Sequence, residues 1–301
     1  VEPDLRFQWM GKVARVLHKH HPKAGIWLSL QAFHQADSWI DTFVSHVKKN
    51  PPWLTGVAFS PWQKTPLREL RRMIPARYPI RHYPDITHNI NCQYPVPNWD
   101  TALALALGRE CINPRPLDQK HIHNITQNYT VGSLSYSEGI NDDVNKFIWS
   151  DQDWDPSTPA ESTLRDYGRL FFGAAHADAA EDGLLGLERN WQGPLAANKG
   201  VDETLKVWRR MEAHGSVALR NNYRFQLGLI RAYADAYVRQ RLLNETELEQ
   251  QARHVLAAAG TRGSLAAMAA AERILDKACR PVARAWRRKC DDLAEKLFRG
   301  I

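Results

Sequence analysis

The segment Tyr136–Trp154, YSEGINDDVNKFIWSDQDW, concentrates groups that can move protons or hold hydroxyls. Glu138, Asp142, Asp143, Asn145, Lys146, Asp151 and Asp153 lie there, with Tyr136, Trp149 and Trp154 among them. Glu138 directly follows a strand pattern, and Gly139 lets the chain turn sharply behind it. Asp142 and Asp143 fall where a helix should begin, so capping of exposed N–H groups competes with ligand binding as their role. A second segment, Tyr83–Asp100 (YPDITHNINCQYPVPNWD), sets Asp85 among Tyr83, His88, Asn91, Gln93 and Tyr94. Aromatic rings pack on the C–H faces of sugars, and amides and carboxylates bridge vicinal hydroxyls, so this mixture suits a carbohydrate. A structural loop cemented by its own aromatics is the competing reading.

Glycosidases act with two carboxylates, one as acid and one as nucleophile or base. The candidates for that chemistry are Glu138 and Asp85. Substrate contacts are expected from Trp27, Gln31, Ser60, Trp62, Tyr83, His88, Tyr136, Asn141, Asp142, Asp143, Asn145 and Trp149. Other chemistries find little support. No GxGxxG, P-loop, GxSxG or HExxH pattern occurs. The HxHH run His18–His21 has no carboxylate partner on its helix, and His121 and His123 alternate in a predicted loop, so neither a metal nor an organic cofactor is expected.

These groups need elements to hold them. Short strand patterns alternate with helical ones up to about residue 156. The strands are Gly25–Gln31, Thr55–Ser60, Pro79–Tyr83 and Val131–Tyr136, and helices lie between them over Ala36–Lys49, Pro66–Arg77 and Asp100–Arg109. Strand–helix alternation implies parallel strands. Ile26, Leu28 and Leu30 share one face of the first strand, and Trp27, Ser29 and Gln31 the other. In the second strand Val57 and Phe59 oppose Ala58, Ser60 and Trp62. One apolar face under helices and one polar or small face suits a barrel wall, and the polar groups gather at strand ends, where a (β/α)8 barrel builds its site. Such a barrel needs eight strands in about 250 residues. The expected fold is therefore α/β: the C-terminal half of a (β/α)8 (TIM) barrel over 1–156, followed by an all-α helical bundle over 157–301. A helix begins almost at Val1 and another runs to Ile301, so the chain reads as a piece of a longer protein.

The stretches HPKAGIWLSLQAF, RHYPDITHNINCQYPVPNWD, YSEGINDDVNKFIWSDQDWDP, LERNWQGPLAANKGV and NNYRFQLGLIRAYADAYVRQRL resemble a group of large bacterial proteins. That group is similar to TIM-barrel glycoside hydrolases with a helical domain after the barrel, whose relatives are β-N-acetylhexosaminidase, hyaluronidase-like and α-glucuronidase enzymes. The resemblance implies O-glycosyl hydrolysis. It also implies an acidic pair after the fourth barrel strand, upstream of Val1 if Gly25–Gln31 is the fifth. Trp62 and Tyr83 would then line a subsite, Asp85 and Glu138 would bind sugar hydroxyls, and residues 141–145 would shape the rim. A non-catalytic carbohydrate-binding protein, or another TIM-barrel enzyme such as a lyase or isomerase, stays open beside the hydrolase.

Composition narrows the partners. The 301 residues carry 40 Lys+Arg against 33 Asp+Glu, a net charge of +7 without any run of five like charges, which argues against a nucleic-acid arm. The longest apolar runs, Thr101–Leu107 and Leu265–Ala271, fall far short of the ~20 residues of a membrane span. The four cysteines have no CxxC spacing, and Cys279 and Cys290 are expected on one helix. Localisation and oligomeric state stay open.

Overall fold

The computed structural model describes residues 3–29, 37–61, 63–87, 93–107, 114–137, 143–280 and 282–300. The chain forms two compact units, one of residues 1–95 and 117–159, the other of residues 96–116 and 160–301. Helix makes up 71% and strand 5%. This overturns the expectation of half a TIM barrel: the fold is mostly helical, with a small parallel sheet in the first unit. The physical reason lies in the strands, which are two to four residues long and too short for a barrel wall.

The elements run in order α1 (Pro3–His20), β1 (Trp27–Ser29), α2 (Asp37–Lys48), β2 (Gly56–Phe59), α3 (Leu67–Met73), β3 (Ile80–His82) and β4 (Asp85–Thr87). After α4 (Thr101–Leu107) come α5 (Pro116–Thr126), β5 (Tyr136–Ser137) and α6 (Asp143–Trp154). β1, β2 and β3 pair in parallel in that order, with Leu28 opposite Val57 and Val57 opposite Ile80. β4 and β5 form a second parallel pair. The break between β3 and β4 falls at Pro84, which has no N–H to give a ladder. Across the break the segment leading to β5 still follows: Val131 donates to the Ile80 carbonyl at 2.8 Å, Leu134 to His82 at 2.9 Å and Tyr136 to Pro84 at 2.9 Å.

One face of the three-stranded sheet is covered. Val57, Phe59 and Ile80 pack with Phe43, Val44 and Val47 of α2 and with Leu67, Leu70 and Ile74 at α3. Arg71 locks the turn from α3 into β3, donating to the carbonyls of Tyr78 (2.7 Å), Pro75 (2.8 Å) and Ile74 (3.2 Å). The other face carries Trp27, Ser29, Ala58 and Arg81, which are exposed or half-buried. β2 begins with glycine because the Trp27 ring crosses it: a Cβ at Gly56 would come within 2.4 Å of that ring.

The second unit has no strand among its described residues and is built of helices joined by turns. Besides α4 it contains α7 (Ala160–Phe171), α8 (Ala177–Arg189), α9 (Gly200–His214), α10 (Val217–Asn221), α11 (Tyr223–Ala257), α12 (Ala259–Arg262), α13 (Ser264–Leu275) and α14 (Arg284–Arg299). α11 runs without interruption for 35 residues. Cys279 and Cys290, expected on one helix, lie on different elements: Cys279 ends a short 3-10 turn after α13, and Cys290 is on α14. Trp208 is the buried centre of this unit. It packs on Phe225 (5.6 Å between centroids) and Phe172 (6.2 Å) and donates its indole N–H to the Gly183 carbonyl at 3.2 Å. Gly228 lets α11 approach: a Cβ there would meet the Trp208 ring at 2.0 Å. Among the described residues no helix is long and apolar enough to cross a membrane.

Candidate functional site

The sheet face turned away from α2 and α3 gathers polar and aromatic groups toward the carboxyl ends of the strands. Ser29, the last residue of β1, and Ser60, just past β2, join through their hydroxyls at 2.6 Å, and Ser60 is fully buried. Tyr83 follows β3 and is tied to β2 by its N–H on the Phe59 carbonyl at 2.7 Å. Its ring meets that of Tyr136 edge to face at 5.9 Å. Asp85 opens β4 opposite Tyr136, which places the carboxylate on the same face as both tyrosines. It is 1% exposed, and its backbone N–H donates to the Gln93 side-chain carbonyl at 2.9 Å. Burial, and next the Asp85 carboxylate, raise the Tyr83 phenol above its usual value. Leu134 and Tyr136 stay exposed along one edge. Near the start of β1 the Arg81 guanidinium sits 4.5 Å from the Trp27 ring centroid.

A second polar cluster lies on the helix-covered side, at α5 and α6. His123 bonds Asp153 through Nε2 at 2.9 Å and Asn124 through Nδ1 at 3.0 Å, while Ser133 donates to the other Asp153 oxygen. Burial pushes the Asp153 pKa upward, but the hydrogen bonds from His123 and Ser133 outweigh it, and the pKa lies below the usual carboxylate range. The three residues resemble a catalytic triad in type but not in order. The carboxylate stands between serine and histidine, so His123 is not placed to take the Ser133 proton. The cluster instead clasps α5, α6 and the strand segment at Ser133. His82 is buried beside it, with its Nε2 3.1 Å from the Tyr94 hydroxyl. Burial, with the charge of His123 next, holds the His82 imidazole down to about 3 against the pull of Asp153, so the ring is neutral.

The expected site residues therefore separate. Trp27, Ser60 and Tyr83 lie on the face of the three-stranded sheet turned away from α2 and α3, and Asp85 and Tyr136 pair beside it in the two-stranded sheet. Asn145 and Trp149 lie elsewhere: both are buried on α6, where Trp149 donates its indole N–H to Gln119 at 2.7 Å and packs edge to face on His82 and His123. Asp143 is the first residue of α6 and half-buried. Gln31, Trp62, His88, Glu138, Asn141 and Asp142 lie outside the described residues. Sequence reasoning passed over Arg81, although its i, i+2 spacing to Tyr83 puts both on one strand face. It also assigned His121 and His123 to a loop. They lie on α5, and Pro116 at its first position with Asp118 in the first turn was the available signal. Among the described residues no three His, Cys, Asp or Glu side chains converge as a metal site. No known protein family, curated protein or solved structure matches this chain.

Proposed function

We propose that the first unit binds a saccharide chain at the carboxyl ends of its parallel strands and that the protein hydrolyses its glycosidic bonds. One observation carries this reading: the buried Asp85 carboxyl beside Tyr83 and Tyr136, at the carboxyl ends of parallel strands. Tyr83 and Tyr136 offer ring surface for sugar C–H groups, and Ser29 and Arg81 offer polar contacts for hydroxyls. A carboxyl group shielded from water can pass a proton to a departing glycosidic oxygen. Glu138, two residues past Tyr136, is the second carboxylate in this proposal and acts as base or nucleophile.

Release of p-nitrophenol from a panel of aryl glycosides tests the reaction. Asp85→Asn should lower kcat/KM by about 100-fold or more, with the helical circular dichroism signal unchanged. A kcat/KM unchanged from the unsubstituted protein in both Asp85→Asn and Glu138→Gln would remove both residues from the mechanism. Binding without cleavage is the second reading, favoured because Asp85 is only 1% exposed whereas the Tyr83 and Tyr136 rings beside it are half-buried or exposed. In that case no aryl glycoside is turned over, while gels containing polysaccharide still retard the protein and Tyr83→Ala relieves the retardation.

A further inference from the structure

A cleft of about 440 Å³ opens in the first unit between α1 and the end of α2, away from the sheet face. Its floor is aromatic. Phe7 stacks on His46 at 4.4 Å and 11°, and Trp53 lies 6.0 Å from Phe7. Gly11 leaves room beside the Trp53 indole, where a Cβ would come within 3.3 Å of its nitrogen. Its rim is cationic. Lys12 and Arg15 share one face of α1, and Lys49 follows α2. All three are exposed, and none has a carboxylate partner among the described residues. The acidic group at this end of α1, Asp4, is bonded to His46 at 2.6 Å.

Three exposed cations, without carboxylate partners among the described residues, over an aromatic floor select a ligand that carries both anions and apolar ring faces. The Lys12 ammonium meets the π face of Trp9, at 5.3 Å. We propose that this cleft binds an acidic saccharide chain, its sulfate or carboxylate groups on Lys12, Arg15 and Lys49 and its sugar rings on Phe7 and Trp53. Charge complementarity names the anions, and the floor distinguishes a ring-bearing chain from a bare ion. The proposal rests on the saccharide reading above for the class of ligand, and on none of its residues.

Isothermal titration calorimetry of the full chain, with size-defined dextran sulfate and with dextran of the same length, tests it at about 0.15 M salt, where long-range attraction to net charge is screened. Dextran sulfate should bind and dextran should not enter the cleft. The double variant K12E/R15E should weaken dextran sulfate about tenfold. R68E/R72E changes two exposed arginines on α3 by the same charge and should cost less than about twofold. Equal losses in the two double variants would reduce the effect to net charge and overturn the proposal, as would no loss in K12E/R15E. Inorganic sulfate as effective, per sulfate, as the chain would also overturn it, because the aromatic floor would then have no part. Asp85→Asn separates this cleft from the sheet face: it should leave dextran sulfate affinity unchanged, whatever it does to turnover.

Discussion

His82 Nε2 and the Tyr94 hydroxyl lie 3.1 Å apart with the imidazole buried, and no described group bonds the other ring nitrogen. A proton on that ring would be a charge without water. The unfolded chain takes the proton near pH 6.5, whereas the folded one resists it down to about 3. Acidification therefore favours unfolding across this window, by about 1.4 kcal/mol per pH unit. Asp153 acts lower: its depressed pKa contributes stability that persists until the pH falls below the ordinary carboxylate value of 3.8. Urea midpoints measured between pH 7 and 4.5 should fall with pH, and His82→Gln should flatten that slope whatever it does to stability at pH 7. An unchanged slope in the variant would place the titration elsewhere.

In the second unit Asp235 is fully buried and holds Arg231 at 2.8 Å, Asn190 at 2.9 Å and the Trp191 indole at 3.3 Å. Burial raises its pKa, against the opposing pull of Arg231. Asp235→Asn leaves the Arg231 guanidinium buried over the Trp191 ring without a counter-charge. We expect a loss of about 3 kcal/mol in chemical denaturation. The double variant Arg231→Met/Asp235→Leu should recover most of it, because removing both charges removes the desolvation cost with them. If the double variant is no better than the single, the charge account is wrong.

Gly228→Ala tests the packing of α11 on Trp208. The new methyl would overlap the ring, and the buried indole has Phe172 and Phe225 around it. Destabilisation of about 1–3 kcal/mol is expected despite the better helix propensity of alanine, so the sign of the change in melting temperature decides it.

Ala283 precedes α14 in the left-handed region, at φ 45°. A non-glycine residue there costs about 1–2 kcal/mol. Ala283→Gly should raise the unfolding free energy by about 1 kcal/mol, a gain reduced by glycine's greater freedom in the unfolded chain. A lower urea midpoint in the variant would contradict the strained backbone.

Local pattern was legible where it had one cause. The alternation of Leu28, Val57 and Phe59 against Trp27, Ser29, Ala58 and Ser60 placed the strands and their faces, because burial on one side of a sheet imposes a period of two. The barrel inference failed one level higher. Strand–helix alternation is shared by a barrel wall and by a small parallel sheet, and strand length, which tells them apart, is blurred in sequence by flanking apolar residues such as Ile26 and Tyr83. Trp149 and Asn145 misled for a different reason. Polar and aromatic residues mixed on one helix face look alike whether they line a cleft or satisfy each other inside, and the partner that settles the matter, Gln119, comes from another helix, α5. The basic cleft of Lys12, Arg15 and Lys49 was invisible because it joins the middle of α1 to the end of α2, two helices separated by a strand.

Pro84 separates Tyr83 from Asp85 in the chain. Its ring locks its own φ near −65° and disfavours the helical region for the residue before it. The aromatic and acidic groups of the proposed site are thus mounted on a stiff spacer, with the Pro84 carbonyl anchored by the Tyr136 N–H at 2.9 Å. A ligand reaching both groups must fit their separation as it stands. The tolerance of this face for different linkages is thereby set by the backbone rather than by side-chain adjustment.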